Sequence, residues 1–500
     1  MIRRVDDIGQ GLTPARAARP ISAGEAIHVV GVAGAGASAA ALLAAAAGAA
    51  ASGCDPGAPS PYTDALAARS IEIASQHSAD HVVRGMGSRP SRLAVTKALT
   101  SVDPDHPELL AARQAGIPVE PWQQVVADAA ASQAGRLIAV AGTHGKSTSA
   151  GWLVHMLVRA GRDPGAFVGA LLPDELSEGV PATARWGSGD AFVVEADEYA
   201  GNFDPYRPSL VVILNVDWDH PDVFADRGQV VDAFESWLRQ PGAERREVIV
   251  NTSDAGGAEL ADRLTDWGER VLPVVSGKAR AGAVSYQLEE PELAIIGLPG
   301  LGDAVVRAEL RMAGRHNAAN AACVAAAAAR IGLSADDVAA GLASYQGVSR
   351  RLDVKGEPGG VLVIDDYGHH PTSIRATIDT VRARYPGRPL WVAHEPLTFH
   401  RAAAMLDELA AALAIADHVV IADIWAGRDR DTTITSAAEL AAAVARSQGR
   451  EVAAPGSVEA TADYLAARVR RGDIVLAMGG GRSYIIAERL VALLGQADAE

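Results

Sequence analysis

A short glycine-containing segment holds a lysine followed by two hydroxyl side chains. This segment is VAGTHGKST, residues 140–148. Backbone N–H groups of such a loop surround phosphate oxygens, while the lysine reaches the transferred phosphoryl group and the next hydroxyl ligates Mg²⁺. The full phosphate-loop pattern has a glycine five residues before the Gly-Lys pair, where this chain has Val140. The segment predicts a nucleotide phosphate held by Lys146 and Ser147, and a glycine turn with a solvated lysine is the alternative.

Two acidic segments follow apolar runs later in the chain. The run FVVEADEY carries Glu195, Asp197 and Glu198, and the run LVVILNVDWDHPDVF carries Asp219 and His220. We expect both clusters just past the carboxyl ends of buried strands, where parallel α/β sheets bind ligands. Each cluster alone is typical of a solvated loop, but both together with the lysine loop predict a metal–nucleotide site.

A glycine turn near the start of the chain allows several interpretations. Gly34, Gly36 and Ala39 fit the G-x-G-x-x-G/A spacing, and Asp55 follows about twenty residues later. The pattern is compatible with a nicotinamide dinucleotide, but glycines reach this spacing by chance in a chain so rich in alanine and glycine. Close packing of a helix and a nucleoside diphosphate at a helix N-terminus are the other two hypotheses.

Strand–turn–helix units must position these residues. The sequence predicts a strand from Ile27 to Val32 followed by a buried, alanine-rich helix. The uncharged stretch from 29 to 52 is a poor membrane span because it contains only two leucines. A second unit is predicted from a strand starting at Arg136 and an amphipathic helix running from Lys146 to a stop at Gly161.

Length and composition limit the fold and the partners. Five hundred residues are too many for one core, and we predict three α/β domains at 1–134, 135–344 and 345–500. A formal net charge of -16 argues against a nucleic-acid partner. Two cysteines, Cys54 and Cys323, do not form a disulfide framework, which fits a reducing cytoplasm. Only four of the 45 basic residues are lysines, and one of them lies in the glycine loop.

Five segments in order resemble the Mur ligases, the ATP-dependent amide-forming enzymes of peptidoglycan precursor synthesis. These are GVAGAGAS, GTHGKST, VEADEY, NVDWDH and RHNAANA, at 31–38, 142–148, 194–199, 215–220 and 315–321. The family loop has no upstream glycine, so Val140 agrees with the resemblance. Two further segments, GVSRRLDVKG at 347–356 and IDDYGHHPTSI at 364–374, resemble the member of the family that uses L-alanine.

The resemblance implies a fold and an activity. The expected fold has a Rossmann-like N-terminal domain for a UDP-sugar, a central P-loop ATPase-like parallel-sheet domain for ATP, and a Rossmann-like C-terminal domain for the amino acid. The expected cofactors are ATP and Mg²⁺, and the expected substrates are UDP-N-acetylmuramate and L-alanine. The reaction would convert the muramoyl carboxylate into an acyl phosphate, which the amine of alanine attacks. No membrane insertion is expected.

The resemblance also implies roles for residues around the nucleotide. The ATP phosphates would contact Gly142, Thr143, His144, Gly145, Lys146, Ser147 and Thr148. The metal would be held or positioned by Ser147, Glu195 and His220. The nucleoside would contact His316, Asn317, Asn320, Asp366, Tyr367 and His369, with Arg351 on the γ-phosphate. Lys146, Glu195, His220 and Arg351 would therefore be the catalytic set.

The other substrates have a smaller implied set. The UDP-sugar would contact Gly34, Gly36, Ser52, Asp55 and Ser101. Arg401 is the candidate for the carboxylate of alanine. The chain departs from the family pattern at five positions, which leaves fine substrate contacts open. These positions are Ala33, Ala37, Ala200, Glu395 and Arg482.

Three alternatives to the L-alanine ligase stay open. A sister enzyme attaches a recycled tripeptide to the same sugar nucleotide, and the run DWDHPDVF is similar to it. A non-catalytic nucleotide-binding relative is the second, although Lys146, Glu195 and His220 are intact. The third is a metallohydrolase built on DDYGHH. His369 and His370 are adjacent there, so on a strand they would point to opposite faces.

Overall fold

The computed structural model describes residues 8–133 and 135–497 in two compact units. The N-terminal unit comprises the chain up to 219 together with 223–348, and the C-terminal unit comprises 349 onward together with 220–222. The N-terminal unit holds two sheets and the C-terminal unit holds one. The predicted boundary at Ala134 lies outside the described residues, and the three predicted domain ranges stay predictions.

The first sheet is a five-stranded parallel sheet. Its strands are β1 (Ala26–Val30), β2 (Ala50–Cys54), β3 (Glu72–Ala74), β4 (Arg92–Val95) and β5 (Val119–Pro121). Its helices are α1 (Ala35–Ala46), α2 (Asp64–Ala68), α3 (Asp80–Val83), α4 (Lys97–Val102), α5 (Pro107–Gln114) and α6 (Trp122–Ser132). The strand order is β3-β2-β1-β4-β5, which confirms the Rossmann-like N-terminal fold.

The glycine turn after β1 is shaped by the residues that surround it. The strand ends at Val30, two residues before the expected end at Val32, and Gly31 turns the chain there with φ of +80°. Helix α1 is buried along most of its length, and a Cβ at Gly36 would overlap the indole of Trp122. The uncharged stretch therefore contains the end of a strand, a glycine turn and a buried helix, as predicted, and continues into β2. Within the described residues, no helix is long and apolar enough to span a bilayer.

The second sheet has ten strands. They are β6 (Arg136–Ala141), β7 (Gly165–Leu172), β8 (Ala182–Arg185), β9 (Ala191–Ala196), β10 (Leu210–Ile213), β11 (Glu247–Asn251), β12 (Val271–Ser276), β13 (Val284–Glu289), β14 (Glu292–Ile296) and β15 (Val306–Glu309). The helices are α7 (Lys146–Arg159), α8 (Arg227–Leu238), α9 (Ala255–Arg263), α10 (Arg315–Arg330) and α11 (Ala335–Ser344). Short 3₁₀ turns lie at Asp174–Leu176, Tyr199–Gly201, Ala243–Arg245 and Thr265–Arg270.

The strand order of this sheet is β15-β14-β13-β12-β11-β10-β6-β9-β7-β8. The strands from β13 through β7 pair in parallel, as predicted for the central domain. Antiparallel strands close both edges, with β14 and β15 on one side and β8 on the other. These hairpin strands need no crossover helix, so a rule based on alternating strands and helices does not predict them.

The C-terminal unit contains a six-stranded sheet. Its strands are β16 (Asp353–Gly356), β17 (Leu362–Asp366), β18 (Leu390–Glu395), β19 (His418–Ala422), β20 (Ala453–Gly456) and β21 (Ile474–Gly479). Its helices are α12 (Pro371–Arg384), α13 (Phe399–Ala404), α14 (Leu406–Leu413), α15 (Ala437–Gln448), α16 (Val458–Ala466) and α17 (Tyr484–Ala497), with a 3₁₀ turn at Pro358–Gly360. The order is β16-β17-β21-β18-β19-β20, and β16 alone of these strands is antiparallel. The parallel part confirms the Rossmann-like prediction.

The contact between α1 and Trp122 leads to a test of the packing at the glycine turn. Gly36→Ala should destabilise the protein by about 1–3 kcal/mol, because the added methyl group overlaps an indole that is itself packed edge-on against Phe167. Gly495→Ala is the matched control, since a Cβ there meets nothing within 4 Å. Urea denaturation would compare the two variants, and equal midpoints would contradict the packing described for α1.

Candidate functional site

The lysine loop joins β6 to α7, as the sequence predicted. Gly142 and Gly145 have φ of +138° and +79°, conformations that favour glycine. The side chain of Asn215 bridges the loop, because its Oδ1 accepts from His144 N at 2.8 Å and its Nδ2 donates to His144 O at 2.9 Å. Thr143 N also donates to Asn215 O at 3.2 Å. The loop is therefore held in one shape by the residue that follows β10.

The ammonium group of Lys146 lies among carboxylates. Its Nζ is 3.2 Å from Glu198 Oε2, 3.3 Å from Asp197 Oδ1 and 3.3 Å from Thr143 O. Burial lowers the pKa of Lys146, but the carboxylates of Glu198, Asp197 and Glu195 outweigh this effect and raise the pKa above its usual value. The side chain is only 12% exposed, so the alternative of a solvated lysine is wrong.

Ser147 and Glu195 form the adjacent polar pair. Ser147 Oγ donates to Glu195 Oε1 at 3.2 Å, and Gly169 N donates to Glu195 Oε2 at 2.6 Å. Glu195 lies within β9, in register with Val140 on β6, and not beyond the strand end as expected. The shared register places this carboxylate beside the start of α7. A hydroxyl and a carboxylate oxygen at this separation are hard ligands of the kind that Mg²⁺ prefers.

A cavity of about 170 Å³ opens beside Glu195. Its lining includes Gly36, Trp122, Gln123, Glu195, Asn202 and Tyr206. Three buried polar atoms of this lining, Gln123 Oε1, Asn202 Oδ1 and Tyr206 Oη, have no hydrogen-bond partner within the described part of the chain. Unpaired buried polar atoms are costly, so they indicate a polar ligand. No recognisable sequence motif contains Trp122, Gln123, Asn202 or Tyr206, so these residues could not be predicted from the sequence.

The side chain of Asp55 holds the glycine turn of the first sheet through hydrogen bonds to backbone N–H groups. Its Oδ2 accepts from Ala33 N at 3.0 Å and its Oδ1 accepts from Gly57 N at 2.7 Å. Gly34 directly precedes α1, so the turn lies at a helix N-terminus. The structure thus brings Gly34, Gly36 and Asp55 together.

The other two residues expected near the UDP-sugar have local partners. Ser52 Oγ lies 2.9 Å from Nδ1 of the buried His28. Ser101 Oγ donates to Ala98 O at 2.9 Å within α4. Their contacts with the sugar nucleotide stay predictions.

Lys97 is a further polar contact that the motifs did not single out. Its Nζ donates to Ala200 O at 2.7 Å and to Gly201 O at 2.9 Å. Ala200, one of the departures from the family pattern, has φ of +48°, and the lysine holds this strained turn directly after Glu198. The scarcity of lysine in the chain was the one sequence signal that could have identified Lys97.

Helix α10 begins at Arg315, as expected for a helix opened by RHNAANA. Asn320 lies against the lysine loop, because a Cβ at Gly145 would be 2.7 Å from its Nδ2. Asn317 Nδ2 donates to Ala313 O at 2.9 Å, and His316 is exposed. The structure therefore brings Asn320 to the phosphate loop, and adenine recognition by these side chains stays a prediction.

The C-terminal unit brings three of the predicted nucleoside residues together with Arg351, the residue predicted to contact the γ-phosphate. The guanidinium of Arg351 lies 4.7 Å from the ring centroid of Tyr367, and the Tyr367 and His369 rings meet edge-on at 5.3 Å. Asp366 Oδ2 accepts from Leu352 N at 2.9 Å. This hydrogen bond between a carboxylate and the backbone fixes the turn that carries Arg351.

His220 and Arg401 also lie together in the C-terminal unit. His220 Nδ1 is 3.4 Å from Arg401 Nη2 and 3.0 Å from Arg428 Nη2. Arg428 also forms two hydrogen bonds to Asp222, at 3.0 and 3.1 Å. Burial raises the pKa of Asp222, but Arg428 outweighs it and lowers the pKa to about 2. Arg401 is almost fully buried, and its binding of alanine stays a prediction, as does the metal role of His220.

The remaining departures occupy different surroundings. Ala37 is buried within α1. Glu395 lies at the end of β18, where burial raises the pKa of its carboxyl group to about 7. Arg482 forms an exposed ion pair with Glu459 at 2.8 Å. Nothing in these contacts explains the departures in functional terms.

Models of one protein family match most of the chain. The model of the Mur ligase family, catalytic domain, matches residues 26–134, and that of the Mur ligase middle domain matches 140–328. The model of the Mur ligase, glutamate ligase domain, matches 350–481.

Three relatives that match this chain over nearly its whole length share the same protein name. The chain is 33% identical to the UDP-N-acetylmuramate--L-alanine ligase of Roseiflexus castenholzii over 94% of this chain and 98% of that protein. The ligase of the same name from Kineococcus radiotolerans is 36% identical, over 94% and 96% of the two chains. The ligase from Frankia casuarinae is 34% identical, over 94% and 97%.

Two solved structures share the fold. One is the UDP-N-acetylmuramate-alanine ligase of Thermotoga maritima, with a TM-score of 0.75, 23% identity, and coverage of 94% of this chain and 99% of that chain. The other is a murein peptide ligase of Psychrobacter arcticus, with a TM-score of 0.72, 23% identity and the same coverage of 94% and 99%.

The contact between Lys146 and Glu198 predicts a pH-dependent loss of stability. Lys146→Ala should cost roughly 3 kcal/mol at pH 8, because it leaves a buried carboxylate unpaired. Burial raises the pKa of Glu198, and Lys146 opposes this rise. Removing the lysine raises the pKa of Glu198 in the folded protein further above its value of about 4.5 in the unfolded chain. The folded protein then keeps a proton that the unfolded chain has released. The free energy of unfolding therefore falls as the pH rises above about 4.5.

Urea denaturation at pH 5 and pH 8 would measure the effect. The decrease in the free energy of unfolding caused by Lys146→Ala should be smaller at pH 5 than at pH 8. The double variant Lys146→Ala/Glu198→Gln is the control and should show a smaller difference, because only the more exposed Asp197 then remains of the two carboxylates that contacted the lost ammonium. An equal loss at both pH values would show that Glu198 is not the group left unpaired.

Proposed function

The chain belongs to the Mur ligase family, and we propose that it joins L-alanine to the carboxylate of UDP-N-acetylmuramate with hydrolysis of ATP. The relatives that carry this name are 33–36% identical over nearly the whole chain, which supports the choice of substrates. The product would be a precursor of peptidoglycan. We also propose a cytoplasmic location, because ATP is supplied there and both cysteines are free.

The juxtaposition of Lys146, Ser147 and Glu195 is the observation that carries the proposal. A carboxylate is a poor electrophile, and its attack on the γ-phosphoryl group brings two anions together. The ammonium of Lys146 reduces that repulsion, and the N–H groups of the loop donate to the phosphate oxygens. Glu198 and Asp197 keep the lysine protonated before the nucleotide arrives. The loop is held in place by Asn215, so little reorganisation is needed on binding.

The donor set fits a magnesium ion. Ser147 Oγ and Glu195 Oε1 are hard oxygen donors 3.2 Å apart, and the N–H of Gly169 orients the carboxylate through its second oxygen. Magnesium held by these residues would supply positive charge that neutralises the phosphate. We propose Ser147 and Glu195 as its ligands.

The cavity beside Glu195 suits the muramoyl carboxylate. The hydroxyl of Tyr206 can donate to a carboxylate oxygen, and the amide oxygens of Gln123 and Asn202 can accept from hydroxyl groups of the sugar. In the first step an O–P bond forms to the carboxylate and the bond to ADP breaks. In the second step the neutral amine of alanine attacks the acyl carbon, a C–N bond forms and the C–O bond to phosphate breaks. The nitrogen loses one proton and keeps the other as the amide N–H.

Acceptor specificity tests the proposed substrate. With UDP-N-acetylmuramate and ATP present, phosphate release should be fastest with L-alanine and slower with glycine or L-serine. A tripeptide acceptor should give little release. Faster release with the tripeptide would identify the sister activity instead, and nucleotide binding without release on any acceptor would indicate a non-catalytic relative.

Glu195→Gln tests the proposed metal ligand. The amide keeps the shape of the side chain but removes an anionic oxygen, so the magnesium concentration for half-maximal rate should rise at least about tenfold. Glu292→Gln is the matched control, since Glu292 on β14 forms an exposed ion pair with Arg307 on the neighbouring strand β15. Titration of the rate with magnesium would compare both variants. An unchanged titration in Glu195→Gln would remove this residue from the metal site.

A further inference from the structure

A cluster of metal-ligating side chains lies beneath the glycine turn of the first sheet. It contains four imidazoles, one thiol and one carboxylate, and its members come from β1, β2, α3, α5 and the loops before these helices. The residues are His28, Cys54, His77, His81, His106 and Glu108. The proposed ligase reaction uses none of them.

Four of these residues surround one point. The ligand atoms of His28, Cys54, His81 and Glu108 all lie within 4.8 Å of one another. Glu108 Oε1 is 3.1 Å from Cys54 Sγ, 2.6 Å from His81 Nδ1 and 3.9 Å from His28 Nε2. Zinc–ligand bonds imply ligand separations of roughly 3.3–3.8 Å in a tetrahedron. The observed distances lie on both sides of that range, so small side-chain shifts would complete the geometry.

The orientation of His28 indicates a ligand. Its Nδ1 lies 2.9 Å from Ser52 Oγ, which leaves Nε2 directed into the cluster. The imidazole is only 1% exposed, and Nε2 has no hydrogen-bond partner among the described residues. A hydrogen bond from one ring nitrogen that fixes the other as a lone-pair donor is typical of metal-ligating histidines.

A hydrogen-bonded network around Glu108 is the simpler interpretation, but it leaves some buried ring nitrogens without a hydrogen-bond partner among the described residues. His106 is buried, and neither of its ring nitrogens has a partner within the described residues. Its ring packs edge-on against His77 at 4.4 Å, and His77 Nδ1 is 3.1 Å from Cys54 Sγ. One carboxylate cannot satisfy four imidazoles and a thiol. A divalent cation would accept several of these lone pairs at once.

We propose that His28, Cys54, His81 and Glu108 bind one Zn²⁺ ion. Cysteine sulfur, histidine nitrogen and carboxylate oxygen are all zinc ligands, and four protein donors complete a tetrahedron as in closed structural sites. Binding would expel the thiol proton of Cys54. His77, which contacts Cys54, and His106, which packs against His77, then lie outside the four ligands.

The position of the site suggests what the ion does. Cys54 ends β2, and its carbonyl accepts from Gly31 N at 2.9 Å in the glycine turn. The next residue, Asp55, holds Ala33 N. An ion bound to Cys54 would tie this end of β2 to α3 and α5 and thereby stiffen the turn. Zinc would therefore stabilise the first domain without entering the reaction.

Zinc retention and a cobalt spectrum test the site on the full-length protein. After loading with zinc and dialysis against a weak chelator, elemental analysis should find about one zinc per chain. Cobalt in its place should give a thiolate-to-cobalt absorption band. Cys54→Ser should lose both the retained metal and the band, while Cys323→Ser, which changes the other buried cysteine, should keep both. The thermal midpoint should rise with free zinc in the control and not in Cys54→Ser.

His81→Gln provides a second variant at the edge of the cluster, where the side chain is 13% exposed and the change is better tolerated. It should weaken zinc binding at least about tenfold. Wild-type protein that retains no zinc, or that binds cobalt without a thiolate band, would overturn the proposal. Full zinc retention by Cys54→Ser would overturn it as well, because the ion would then be held without the proposed sulfur ligand.

Discussion

The buried ammonium of Lys146 needs a negative partner at all times, and the site around it is built on that requirement. Without a nucleotide the partners are Glu198 and Asp197, and an incoming phosphate brings further negative charge to the same group. A buried charge left alone would cost several kcal/mol. The turn after Glu198 must therefore be firm, and Lys97 from the first domain holds it through two carbonyl oxygens.

Sheet order explains why these residues meet. Strands β10, β6 and β9 are adjacent, so the loop after β6, the carboxylate on β9 and Asn215 after β10 share one edge. The sequence predicted the strand–loop–helix unit, because glycine spacing and apolar periodicity are local signals. It did not predict Tyr206 or Trp122, because they meet only after two sheets pack together. The antiparallel edge strands were missed for a related reason, since hairpins do not show the strand–helix alternation used to infer the sheet.

The cluster under the glycine turn illustrates the same limit. His28, Cys54, His81 and Glu108 are separated by more than twenty residues at each step, so no metal-binding spacing is visible in the sequence. Parallel pairing of β1 and β2 sets His28 opposite Ser52, two residues before Cys54, and the helices α3 and α5 supply the remaining donors. The sequence shows that these residue types can bind a metal ion. Only the fold shows that the four side chains lie close together.

The central claim is that this site activates a carboxylate by phosphoryl transfer. It is tested most directly by labelling the muramoyl carboxylate with a heavy oxygen isotope and analysing the phosphate released by the wild-type protein. If the carboxylate attacks the γ-phosphoryl group and phosphate leaves when L-alanine attacks, one labelled oxygen must appear in each phosphate. Phosphate that is released in step with amide formation but carries no label would contradict the account.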